Sequence, residues 1–305
     1  MRFRVVFLCK VCFGDEKLAF PDLLQGYTDG IWKTYEIYIF HLFVMLKVAQ
    51  YAEKDAEIRA AKLLPSDEDK TFSPQIYTNP CTQSLANHVD FLKIAESYKA
   101  NEDLDEDHIR RLYHSFCETE EFQTYRALEN PTDKDHAKML LELYRFLTSQ
   151  DMFVEMTEDR YNNWQDDESL VVGAMKKTLK TMPLEGAFYE DFQPSDETVQ
   201  EFGEQLLRKT CQEDEPLFEI ISPNLKNWDA DRVAILDMIM LKMALCELLH
   251  FPTIPTKVTL NEYVEISKSY STENSKDFIN GILDRLMKKL LKEEKIVKEG
   301  RGLIE

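Results

Sequence analysis

Cys9-Lys10-Val11-Cys12 is a CxxC, a spacing that can bind a thiophilic metal or run thiol–disulfide chemistry. No second CxxC or histidine pair follows at zinc spacing, so no metal is expected there. The remaining cysteines, at 81, 117, 211 and 246, are scattered and predict reduced thiols; Cys246, on an apolar helix face, reads as a small buried hydrophobe. His108 and His114 are six residues apart, which puts them on different helical faces, and they read as solvated side chains. The nine glycines form neither G-x-x-x-x-G-K-[ST] nor G-x-G-x-x-G, and only Gly300-Arg301-Gly302 comes near such a phosphate cradle. There is no G-x-S-x-G elbow and no H-E-x-x-H pair. Acid pairs are so frequent that pairing alone carries no acid–base meaning. The chain therefore reads as a binding protein and not an enzyme, with no cofactor.

The elements that would position a binding surface are helical. Apolar residues recur at helical spacing, alternating runs are short, and the glycines are few and scattered, which predicts an all-α protein. Helices are expected over 31–64, 83–100, 106–117, 120–127, 133–147, 167–182, 197–211, 215–221, 229–249, 260–269 and 273–297, with 65–80 as a loop. The segment KVTLNEYVEISKSYSTENSKDFINGILDR, 257–285, is the most informative. Thr259 and Glu262 have capping-box spacing and predict a helix start at Leu260. After a polar turn at 271–274, Phe278, Ile282, Leu286 and Leu290 recur every fourth residue, flanked by Ile279, Leu283 and Met287, as a bundle core requires. Gly281 interrupts that stripe at a cost of about 1 kcal/mol relative to alanine, which predicts a backbone or ligand close by.

Composition bounds the rest. The 305 residues, 44% apolar, can bury one large or two smaller cores. The apolar runs 37–48 and 233–249 are broken by His41, Lys47, Asp237, Lys242 and Glu247, well short of the ~20 residues of a membrane span, so no membrane anchor is expected. The N-terminal apolar run is interrupted by Lys10 and lacks a small-residue cleavage site, which does not fit a secretory leader and leaves the cytoplasm as the expected location. The net charge of −19 is unevenly spread: residues 51–195 hold 16 Lys/Arg against 30 Asp/Glu, whereas 256–305 hold 10 against 9. Between Arg285 and Arg301 seven basic residues face three acids, either a solvated face that suits a helix C-terminus or a binding patch.

The two blocks KVTLNEYVEISK (257–268) and TENSKDFINGILDR (272–285) resemble the last two helices of the NusB family of bacterial transcription antitermination factors. The preceding helix, with Ala244-Leu245-Cys246-Glu247-Leu248, is similar to the family's buried helix, and Pro252 and Pro255 fall where the family has its x-P-x-K-V turn. The resemblance covers about the last third of the chain. It implies a NusB-like pair of helical bundles, divided here as an N-terminal helical segment 1–64, an acidic helical insertion 65–194 and a C-terminal bundle 195–305. The insertion reads as structural enlargement or as a docking surface for a basic partner.

The resemblance further implies a protein that pairs with the ribosomal protein NusE, binds boxA-type single-stranded RNA of ribosomal RNA leaders, and joins the RNA polymerase antitermination complex. By motif position the RNA-binding residues would be Arg2, Arg4, Lys10, Asn274, Ser275, Lys276 and Phe278. Helix capping or packing is the competing account for each, and for Phe278 core packing stands beside stacking. Asn274 replaces the commoner Asp and so removes a negative charge where a phosphate would pass. Asp237 matches an acidic position facing NusE, with a salt bridge to Arg232 or Lys242 as the alternative. The family's arginine-rich start is reduced here to Arg2, Arg4 and Lys10, which leaves a helical adaptor that has lost RNA binding as a second reading. An RNA cytosine methyltransferase with a NusB-like appendage would need a strand–glycine–helix unit that the sequence does not display.

Overall fold

The computed structural model describes residues 2–13, 19–102, 104–225, 233–272 and 274–303. It is all-α, with no strand among the described residues. In chain order the helices are α1 (Arg2–Phe13), α2 (Phe20–Ala60), α3 (Asp67–Thr71), α4 (Gln75–Thr78), α5 (Pro80–Ala86), α6 (Val89–Ser97), α7 (Glu106–Cys117), α8 (Glu120–Arg126), α9 (Asp133–Thr148), α10 (Asp151–Arg160), α11 (Trp164–Lys180), α12 (Gln205–Gln212), α13 (Asp214–Ile221), α14 (Ile235–His250), α15 (Thr256–Tyr270) and α16 (Ser275–Lys292). The chain forms two compact units, Trp32–Gln193 and Met1–Ile31 with Pro194–Glu305. The segments 1–64, 65–194 and 195–305 expected from the sequence differ from these mainly at 32–64, whose apolar run packs with the aromatic residues that follow it.

In the unit 32–193, the buried face of α2 supplies Ile37, Phe40, Val44 and Val48 against Tyr113, Phe116, Leu143 and Phe153. His41 sits inside this core, its ring bonded to the Tyr144 hydroxyl at 2.9 Å and to Thr157 Oγ1 at 3.2 Å. The expected loop 65–80 contains α3 and α4, because Ser66 and Asp69 close a reciprocal capping box that fixes a short helix.

In the other unit, α14 is buried on almost every side, as a helix apolar all round must be, and α15 and α16 pack on it and on each other as a hairpin. The residues preceding α14 from 226 to 232, including the expected start at Asp229, lie outside the described residues. A Cβ at Gly203 would fall 1.6 Å from the hydroxyl of buried Tyr27, so this close approach requires glycine.

Three local expectations are corrected. First, α15 begins at Thr256, not Leu260, with Pro255 as its N-cap, and Thr259 and Glu262 cap nothing. Thr259 Oγ1 instead donates to buried Glu247 at 2.7 Å, and Glu262 accepts from Arg2 at 3.2 Å. Second, nothing lies within 4 Å of a Cβ at Gly281, which is exposed, so no neighbouring backbone explains that glycine. Third, α16 stops at Lys292, short of 297. Glu294 takes φ 54°, and bonds from Lys295 N to Leu290 O and from Glu294 N to Leu291 O close a Schellman motif.

Candidate nucleic-acid interface

The N-terminal run that gave no helical signal forms α1, which buries Val5, Val6 and Cys9 against α12 and α14. Its polar residues serve different ends. Arg2 forms a two-pronged pair with Glu247, Nε to Oε2 at 2.8 Å and Nη2 to Oε1 at 2.9 Å. Its guanidinium also lies over the Phe202 ring, 4.9 Å from the centroid. Glu247 is fully buried and also accepts from Tyr263 Oη at 3.3 Å. Burial pulls the Arg2 pKa down, but the bond to Glu247 and the charges around it outweigh burial and raise it above the ordinary value. Arg2, expected to meet RNA, is thus committed inside the fold, because a buried carboxylate needs a paired cation. The Arg4 guanidinium lies over Gly30 of α2, while Lys10 is exposed.

The turn joining α15 to α16 is held by a hydroxyl cluster. Ser271 Oγ donates to Asp237 Oδ1 at 2.5 Å and Ser275 Oγ to Oδ2 at 2.8 Å. Ser275 Oγ also lies 2.9 Å from Ser271 Oγ and 2.8 Å from Thr272 Oγ1. Asp237 is 5% exposed and Ser275 2%. Asp237 is therefore not a solvent-facing acid, and Ser275 is a turn-holding residue. Both placements have one cause, that a carboxylate in the first turn of α14 is satisfied by the hydroxyls packed on it. Lys242 pairs with Asp214, and Arg232 lies outside the described residues.

With the turn fixed, Asn274 and Lys276 are exposed. Asn274 occupies the N-cap of α16 without a side-chain capping bond. Phe278 is half-buried against the core, the packing account that the sequence left open beside stacking.

Sequence reasoning missed an aromatic pair. Phe7 of α1, 38% exposed, meets Tyr270 at the end of α15 edge to face, with centroids 5.3 Å apart at 80°. Phe7 lies three residues before Lys10 and so shares its side of α1. The signal was the three-residue spacing of Phe7 and Lys10, which places them together only once that segment is known to be a helix. Exposed lysines, an amide and aromatic rings are the side chains that single-strand binding uses, and this unit carries all three at Lys10, Lys276, Asn274 and the Phe7–Tyr270 pair.

The NusB family model matches residues 159–288. The chain is 40% identical over 109 residues to the transcription antitermination protein NusB of Salinibacter ruber, covering 36% of this chain and 68% of that one. It is 43% identical over 98 residues to the protein of the same name from Methylacidiphilum infernorum, covering 32% and 68%. With that of Chloroherpeton thalassium the identity is 32% over 111 residues, covering 36% and 53%. No solved structure gives a significant match. With two relatives at 40% and 43% identity, each matched over 68% of its own length, the chain belongs to the NusB family.

Proposed function

We propose that the chain is a transcription antitermination factor that binds boxA-type single-stranded RNA of ribosomal RNA leaders. In this reading it acts with the ribosomal protein NusE in the RNA polymerase antitermination complex, in the cytoplasm, and makes or breaks no bond. The observation that carries the reading is the turn braced on Asp237, which leaves Asn274 and Lys276 exposed on the unit that also exposes Lys10 and Phe7. Lys10 and Lys276 supply phosphate contacts, with Arg4 adding positive charge along α1. Phe7 and Tyr270 offer ring faces for bases, Phe278 stiffens the start of α16, and the Asn274 amide reads a base edge. Arg2, Ser275 and Asp237 act by holding these groups in place, and NusE binding depends on the braced turn.

The adaptor reading is favoured by one observation, that Arg2 is spent on Glu247, which leaves fewer cations for phosphates. A pull-down with the full chain separates the two. Recovery of NusE together with leader RNA supports antitermination, whereas NusE without RNA favours the adaptor.

A further inference from the structure

Most of the chain's excess negative charge falls in residues 51–195, and in one place the fold sets it around an apolar floor. In the unit 32–193 a groove of about 680 Å³ runs between the start of α7 and α10. Its floor is Met152 and Met156, four residues apart on one face of α10 and half-buried against the core. Glu155 and Asp159 of α10 and Asp105, the N-cap of α7, are exposed along it. Among the described residues no cation pairs with any of these three carboxylates. The guanidinium of Arg160, at the end of the groove, is held by backbone, donating to the carbonyls of Tyr98 at 2.5 Å and Lys99 at 3.2 Å. Other grooves of the unit carry their own counter-charges. Glu142 pairs with Arg145 between α8 and α9, and Glu106 with Lys54 between α2 and α7.

We propose that this groove docks a basic amphipathic helix of a protein partner. The partner's apolar stripe lies on Met152 and Met156, and its lysines or arginines face Asp105, Glu155 and Asp159. The argument is one of complementarity. Three carboxylates around a cleft, with no cation of their own, leave a negative potential that a ligand's cations neutralise. Unbranched thioether side chains adapt to apolar groups of different shape, so the floor asks for apolar character and the rim for positive charge. The span of α10 from Met152 to Asp159, about 10 Å, matches the contact of about two turns of a helix laid in a groove. The same rim repels a nucleic-acid backbone, which distinguishes this surface from the lysines of the proposed RNA interface.

The test uses the full chain, isotope-labelled at its methionine methyls, and involves no RNA, so its outcome is independent of the antitermination reading. A fluorescein-labelled leucine–lysine peptide patterned as an amphipathic helix is titrated by anisotropy, beside a peptide of the same composition with the pattern scrambled. The patterned peptide is expected to bind about tenfold tighter than the scrambled one. In methyl NMR spectra it should shift the signals of Met152 and Met156 and leave that of Met139, in the groove between α8 and α9, in place. Glu155→Lys with Asp159→Lys changes two exposed positions that the fold tolerates, and should weaken binding by about tenfold. Absence of binding, equal affinity for the two peptides, wild-type affinity in the charge-reversed chain, or a shift at Met139 with Met152 and Met156 unmoved would each overturn the proposal.

Discussion

Ser275 Oγ donates to Asp237 Oδ2 across 2.8 Å, which joins the first turn of α16 to the first turn of α14 through two side chains that solvent scarcely reaches. With Ser271 on the other carboxylate oxygen, the turn before α16 has an anchor independent of its own backbone. Removing the acceptor should strand two hydroxyls. Asp237→Ala is expected to cost about 1–3 kcal/mol and Asp237→Asn less, read from urea midpoints. A wild-type midpoint in Asp237→Ala would remove the anchor. Because NusE binding depends on the braced turn, Asp237→Ala should weaken NusE affinity by calorimetry, and Asp237→Asn, which keeps one acceptor, should weaken it less.

The Arg2–Glu247 pair gives a second test. Arg2→Met leaves a fully buried carboxylate without its cation, at a cost of about 3–5 kcal/mol. Adding Glu247→Gln should recover much of that loss, so a double-mutant cycle by denaturation should show strong coupling. Additive effects would mean that the pair contributes little to the fold.

Helix α16 shows what the sequence could and could not say. Its apolar stripe, Phe278 to Leu290, read correctly because the period is local and long. The partners of Thr259, Glu262, Arg2 and Asp237 were not legible, because each lies between 12 and 260 residues away, where no spacing rule reaches. Thr259 and Glu262 mimic a cap, yet Pro255 starts the helix one turn earlier and both side chains turn to Glu247 and Arg2. Helix α1 was missed because its apolar residues are spread around it, leaving no clear face to detect.

Gly281 stands exposed within α16 with nothing near its missing Cβ. Gly281→Ala should therefore stabilise the chain by about 1 kcal/mol, since helix propensity rises and no clash opposes it. A loss of stability, measured by thermal or urea unfolding, would reveal a conformational need for glycine there.

His41 supplies a pH test. Burial lowers its pKa from 6.5 to about 3, so the folded chain keeps the ring neutral while the unfolded chain takes up a proton below 6.5. The contribution is present above 6.5 and is lost as pH falls from 6.5 towards 3, with a slope of up to about 1.4 kcal/mol per pH unit. His41→Gln, which keeps a polar group for Tyr144 and Thr157 but cannot titrate, should flatten this part of the stability profile. An unchanged slope would assign the acid sensitivity to other groups.

The central claim is that the surface around the braced turn binds a single strand through lysines and reads it through Asn274 and the aromatic pair. The direct measurement is fluorescence anisotropy of a boxA strand and a scrambled strand of equal composition, with NusE present, across a salt series. The account predicts a preference for boxA and a log affinity that falls with log salt by about 0.7 for each phosphate contact. Lys10→Ala with Lys276→Ala should lower that slope by about 1.4 on both strands, and Asn274→Ala should erode the preference while leaving the slope unchanged. Equal affinity for the two strands at every salt concentration, or a wild-type slope in the double-lysine variant, would contradict it.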